Sequence, residues 1–155
     1  MTESEFFAAS ALVFKRLGEN VSLSQLHSFL PDLAPELIPT GRFDALIDLS
    51  EVKELDSNYT KISSLISTME SLYQTHVAPH RIAFLAPGDL AFGTCRMVEQ
   101  LAQGRLPTEM LVTRDPIEAI LYLAREETTI DQLQDALTRA ESDDGFGCAR
   151  NLANA

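Results

Sequence analysis

The spacing of apolar residues switches repeatedly along the chain between a strand-like period of two and a helix-like period near 3.6. Residues 11–17 (ALVFKRL) read as a strand, followed by a turn at Gly18-Glu19-Asn20. Ser22 is placed as a helix N-cap, with Gln25 completing a capping box and Leu23, Leu26, Phe29 and Leu30 forming an apolar stripe. Pro31, Pro35 and Pro39 end that helix. Residues 43–49 (FDALIDL) form the next expected strand, bounded by Gly41 and Ser50. Asp56-Ser57 opens a helix with Ile62, Leu65, Ile66, Met69, Leu72 and Tyr73 on one face, closed by residues 76–80 around Pro79. Residues 81–86 (RIAFLA) are nearly all apolar, which suits the middle of a parallel sheet covered on both faces. Pro87-Gly88-Asp89 leads into a helix expected to turn Leu90, Met97, Val98 and Leu101 inward and to end at Gly104. Residues 109–113 (EMLVT) are the fourth strand, and Asp115-Pro116 starts a helix with Ile117, Ile120, Leu121 and Ala124 as its stripe.

This alternation implies right-handed βαβ crossovers and an α/β fold with a mainly parallel sheet of four to five strands. The first strand is expected to pair antiparallel with a segment around Phe6-Phe7. The domain is drawn as residues 1–125. An additional amphipathic helix at 126–141 carries Ile130, Leu133, Ala136 and Leu137. Its stripe has to be buried on its own domain or on a second copy, and a homodimer is the favoured outcome. Residues 142–155, rich in Gly, Ala and Asn, are expected to form a disordered tail.

A chain of 155 residues fits one domain, and 45% hydrophobic residues suffice for a core. Twelve Lys+Arg against 23 Asp+Glu give a net charge of −11. That balance repels phosphate backbones and anionic headgroups, so no nucleic-acid partner is expected. The longest basic feature is only Lys15-Arg16. No stretch approaches the ~18 apolar residues that span a bilayer, so no membrane insertion is expected. The acidic opening Met1-Thr2-Glu3-Ser4-Glu5 is unlike a secretory signal. Two cysteines, Cys95 and Cys148, suit a reducing compartment, and the expectation is a cytoplasmic protein.

Two stretches carry a family resemblance. The segment Ala45-Leu46-Ile47-Asp48-Leu49-Ser50-Glu51-Val52, followed by Leu55-Asp56-Ser57, resembles the signature of the STAS family. There, a strand ending in Asp-Leu-Ser leads to an Asp-Ser-Ser-Gly or Asp-Ser-Thr-Gly helix start. The segment Ala86-Pro87-Gly88-Asp89-Leu90-Ala91-Phe92-Gly93, with Arg96-Met97 beyond it, is similar to small bacterial STAS/SEC14-type proteins of SpoIIAA-like fold. So is Val112-Thr113-Arg114-Asp115 with Ala119 and Leu123. The resemblance covers residues 11–124. It implies a SpoIIAA-like fold and a non-catalytic regulatory or protein-binding role in a bacterium. One position departs: where the family's phosphorylated Ser stands, this chain has Asn58, and Tyr59 stands at the following Gly position. An amide cannot accept a phosphoryl group as a hydroxyl does.

The candidate regulatory or interaction residues are therefore Asp56, Ser57, Asn58 and Thr60. A phosphate there would meet free N–H groups of a helix N-terminus, while the plain reading of Asp56 and Ser57 is capping. The candidate ligand-binding residues are Gly88, Asp89, Phe92, Gly93 and Arg96, at a strand-to-helix turn where α/β sheets often bind small molecules. A small apolar ligand is the alternative partner. The plain reading there has Asp89 capping, Gly93 allowing close packing and Phe92 filling the core. Neither GxGxxG nor a P-loop is present, and no cofactor is expected. An unfamiliar enzyme site could use only Asp89, Cys95 and Arg96, although consecutive helix residues point about 100° apart. His76 and His80 are separated by Pro79, and no zinc set accompanies them or His27. Asp44 and Asp48 share one strand face as a possible carboxylate pair, with Asp48 placed to satisfy backbone groups at the strand end.

Overall fold

The computed structural model describes residues 3–23 and 41–143. Its five-stranded sheet has β1 (Glu3–Phe7), β2 (Leu12–Arg16), β4 (Asp44–Asp48), β6 (Arg81–Leu85) and β7 (Glu109–Thr113) in that spatial order. Strand β1 is antiparallel to β2, as the Phe6-Phe7 segment suggested, and the other pairings are parallel. Two further short strands, β3 (Asn20–Ser22) and β5 (Glu54–Asp56), make a separate parallel pair that sequence pattern did not reveal. Three residues each are too few to show a period. Ser22 is the last residue of β3, and Leu23 directly after it is helical. The rest of that expected helix, from Gln25 through Leu26, Phe29 and Leu30, lies outside the described residues, as do His27 and Cys148.

The alternation of side chains along the strands divides the core into two layers. Val13, Ala45, Ile47, Ile82, Phe84 and Val112 face one side. Helices α1 (Tyr59–Leu72) and α2 (Asp89–Ala102) cover them, with Val21 and Leu55 of the small pair. Leu12, Phe14, Leu46, Ala83 and Leu85 face the other side, under α3 (Pro116–Tyr122) and α4 (Ile130–Asp143). Successive right-handed crossovers stepping in one direction place α1 and α2 on the same face.

Helix α1 buries Ile62, Leu65, Ile66 and Met69 as its pattern implied. Helix α2 does not follow its large apolar residues. It buries Ala91, Thr94, Cys95, Val98 and Ala102, whereas Leu90 is 51% and Met97 37% exposed. Helix α3 likewise buries Ala119, Ile120 and Leu123, while Ile117, Leu121 and Ala124 are exposed. In both helices small side chains let the helix axis approach the sheet, and the bulky ones are rotated to the flanks.

Helix α4 packs within its own chain. Thr129 caps it, its hydroxyl accepting from Gln132 N–H at 3.1 Å. Leu133 and Leu137 are fully buried beside Phe7, Leu12 and Phe14. Glu141 is buried too, and its carboxylate accepts from Ala9 N–H at 2.6 Å. That bond holds the 3₁₀ turn Ala8–Ser10, which ends at Ala11 in the left-handed region (φ 48°). The stripe expected to seek a second copy is therefore covered intramolecularly. Helix α4 runs to Asp143, past residue 142 where a tail was expected to begin; residues 144–155 lie outside the described residues.

Replacing Leu137 by Ala should destabilise the protein by about 2–5 kcal/mol, the usual cost of emptying a packed core site. Chemical denaturation measures it, and an unchanged midpoint would exclude α4 from the core.

Candidate functional site

The two candidate regions meet on one surface. Each follows the carboxyl end of a central strand, β4 or β6, where the chain leaves the sheet for α1 or α2. The Ser57 hydroxyl lies 3.3 Å from the Thr94 hydroxyl, which joins the entry to α1 to the first turns of α2. Thr94 is buried and was not singled out in the sequence, because nothing marks one Thr on a helical face as the partner of a distant Ser.

The cap of α1 is Asn58, not Asp56 or Ser57. Its backbone is extended (φ −155°), and its side-chain oxygen accepts from Lys61 N–H at 2.8 Å. Asp56 ends β5 and pairs with Lys61 Nζ at 2.5 Å. Both of those side chains are largely exposed, so the pair adds little stability. Thr60 is exposed in the first turn of α1. Asn58 thus supplies the hydrogen bond that a Ser would supply at this position, without a hydroxyl to modify.

At the second turn the structure differs from the capping expectation. Gly88 is the N-cap and makes no side-chain bond, while Asp89 is the first helical residue. Arg114, just past β7, donates from Nη1 to Pro87 O at 3.0 Å and to Asp89 Oδ1 at 2.7 Å. Its guanidinium also lies 4.4 Å from the Phe92 ring centroid. Arg114 therefore clamps the β6-to-α2 turn, and Phe92, half-buried beneath it, packs against the edge of the core. Gly93 is exposed, and a Cβ there would touch nothing within 4 Å, so it is not needed for close packing.

Arg96 points elsewhere, ion-paired to Glu99. It lines a cleft of about 630 Å³ with Glu99, Gln103, Glu109, Met110 and Tyr122. This cleft lies beside the start of β7, at the opposite end of that strand from the Gly88-Asp89 turn. Gly88, Asp89, Phe92 and Gly93 are not among the residues lining the cleft that Arg96 enters.

The residues nominated for unfamiliar chemistry are also apart. Cys95 is fully buried, and burial pushes its thiol up to about 12. Asp89 is engaged by Arg114, and Arg96 by Glu99. Asp44 and Asp48 serve separate structural ends. Asp44 accepts from Arg81 N–H at 3.1 Å. Buried Asp48 pairs with Arg16 at 3.2 Å and accepts from the Ser50 N–H and hydroxyl, which orders the turn after β4. His76 lies near Thr75 and the Leu72 carbonyl. Among the described residues no three His, Cys, Asp or Glu side chains could hold a metal ion. No described helix is long and apolar enough to cross a membrane.

The exposed apolar residues complete the surface. On α2, Phe92, Arg96, Glu99 and Gln103 occupy the flank toward β7, since Phe92 lies under Arg114 and the other three line the β7 cleft. At about 100° per residue, Leu90, Thr94, Met97 and Leu101 occupy the opposite flank, toward α1. Tyr59, at the start of α1, is 63% exposed. Tyr59, Leu90 and Met97 thus surround the Ser57–Thr94 junction. The chain matches no protein-family model, no curated protein and no solved structure.

Three measurements check the site. Asn58→Ala should cost about 1 kcal/mol of unfolding free energy, the usual value of an N-cap; no loss would contradict the capping role. Cys95 should resist thiol reagents in the native state of a Cys148→Ser variant. The burial of Cys95 also has a pH signature. Its folded-state pKa is raised above the unfolded one, so its contribution is intact at neutral pH and is lost as pH climbs from about 9 toward 12. The phenol of Tyr73 is likewise raised by burial and adds to that alkaline loss. Cys95→Ala should show a shallower alkaline decline, and an identical pH profile would contradict the assignment.

Proposed function

We propose that this chain is a non-catalytic interaction module of STAS type in the cytoplasm of a bacterium, with a SpoIIAA-like fold. The observation that carries the reading is the convergence of the two family-resembling stretches on one surface. The Asp48-Leu49-Ser50 and Asp56-Ser57 stretch and the Pro87-Gly88-Asp89 stretch are joined by the Ser57–Thr94 contact. The third stretch, Val112-Thr113-Arg114, meets the second through Arg114. The polar residues there are used on one another, which suits a shaped docking face better than a reaction centre. Tyr59, Leu90 and Met97 give that face exposed apolar anchors.

The sheet order, with one antiparallel edge strand on a parallel set, supports the SpoIIAA-like assignment. Asn58 in the phosphoacceptor position argues for a constitutive face, since its cap cannot be converted by phosphorylation. The excess of acidic residues favours a partner with a basic surface.

The test is affinity capture from the native host with covalent cross-linking, comparing wild type with a Tyr59→Ala/Leu90→Ala double variant. One protein should recur with wild type and fall at least about tenfold with the double variant, as expected when interface anchors are truncated. Equal capture by both proteins would reject this face. Recovery of no protein, together with a tightly bound small molecule in native mass spectrometry, would reject the interaction module itself.

A further inference from the structure

Among the described residues the sheet has two edge strands, β1 and β7, and of these β1 carries the charges of Glu3 and Glu5. Strand β7 pairs with β6 alone, and the parallel register identifies the groups it has left. Glu109 N–H donates to His80 O and Thr113 O accepts from Ala86 N–H, so Glu109, Leu111 and Thr113 turn their backbone groups toward β6. Met110 and Val112, between them, turn theirs outward. An edge of this kind is ordinarily blunted by Lys, Pro or a bulge. The centre of β7 is Met110-Leu111-Val112, with none of these.

The surroundings of the edge are also unfinished. The cleft there is walled by α2 on one side of the sheet and by Tyr122 of α3 on the other, with Thr108, Glu109 and Met110 between. On α3, which packs over β6 and β7, Ile117 is 43% and Leu121 60% exposed.

We propose that β7 pairs antiparallel with β7 of a second copy, merging the two five-stranded sheets across a two-fold axis at Leu111. This register follows from the side chains. Centred on Leu111, Met110 and Val112 of each copy exchange both backbone bonds with Val112 and Met110 of the other, giving four hydrogen bonds. Leu111 meets its own copy, and Glu109 lies opposite Thr113. A register one residue shorter, centred on Met110, would set the Glu109 carboxylate against Leu111 on both sides of the axis. Opposing a charge to an apolar side chain loses the cross-strand pairing that stabilises a sheet. In the Leu111 register Arg114 of each copy lies across from Thr108 of the other. The occupant is thus self-complementary at this edge. It does not use α4, whose stripe is already buried, and it is independent of the docking face around Ser57 and Thr94.

The axis offers a direct test. Leu111 and its symmetry mate form a non-hydrogen-bonded antiparallel pair, with Cα atoms about 4.5 Å apart, within reach of a disulfide. A Leu111→Cys variant in a Cys148→Ser background should convert under mild oxidation to a covalent dimer that reductant reverses. A Thr138→Cys control on exposed α4 should stay monomeric under the same treatment. Wild type should show the mass of two chains by light scattering at tens of micromolar. Leu111→Lys should show the mass of one with an unchanged circular dichroism spectrum, since a charge at the axis is repeated across it. A wild-type mass of one chain across the concentration range, or no greater cross-linking at Leu111→Cys than at the control, would overturn the proposal.

Discussion

Strands β4 and β6 lie in the middle of a parallel sheet and are apolar on both faces, so each face has to be covered by helices. Most of the molecule follows from that requirement. Connections between parallel strands are crossovers, and they deliver α1 and α2 to one face. Among the described residues the opposite face receives no crossover helix from these strands. It is covered only after β7, by α3 and then α4, so the final helix belongs to the same hydrophobic layer as Phe7, Leu12 and Phe14. The buried Glu141–Ala9 bond closes this arrangement by joining the last helix to the turn after the first strand.

The strands were readable because buried parallel strands are short, continuous apolar runs. The Arg81–Leu85 and Glu109–Thr113 elements fall within a residue of their expected ends. Helix faces were readable where the large apolar residues do the packing, as in α1. They were readable only in part in α2 and α3, where Val98 and Ile120 are buried as expected but Ala91, Cys95 and Ala119 share the buried face and Leu90, Met97, Ile117 and Leu121 do not. Period analysis weights size and hydropathy, whereas close helix–sheet packing favours small side chains. That rotation decides function, because it is what leaves the bulky residues at the surface.

The candidate site was visible in the sequence as two separate turns. What was not visible was that they touch. Ser57 and Thr94 are far apart in the chain, and Arg114 reaches back from the end of β7 to Pro87, Asp89 and Phe92. The stretch around Pro87-Gly88-Asp89 and the stretch around Arg114 are two halves of one clamp. The departure at Asn58 also gains a physical meaning: the cap bond is kept and the modifiable hydroxyl is not.

The claim that one layer of core unites α4 with β1 and β2 is tested most directly by native-state amide hydrogen exchange under graded denaturant. The amides around Leu137 should exchange only through the same global opening that releases those of β2 and β4. If α4 instead exchanges through an opening of its own, at a free energy well below that of the sheet, it is an appendage and the two-faced core described here is wrong.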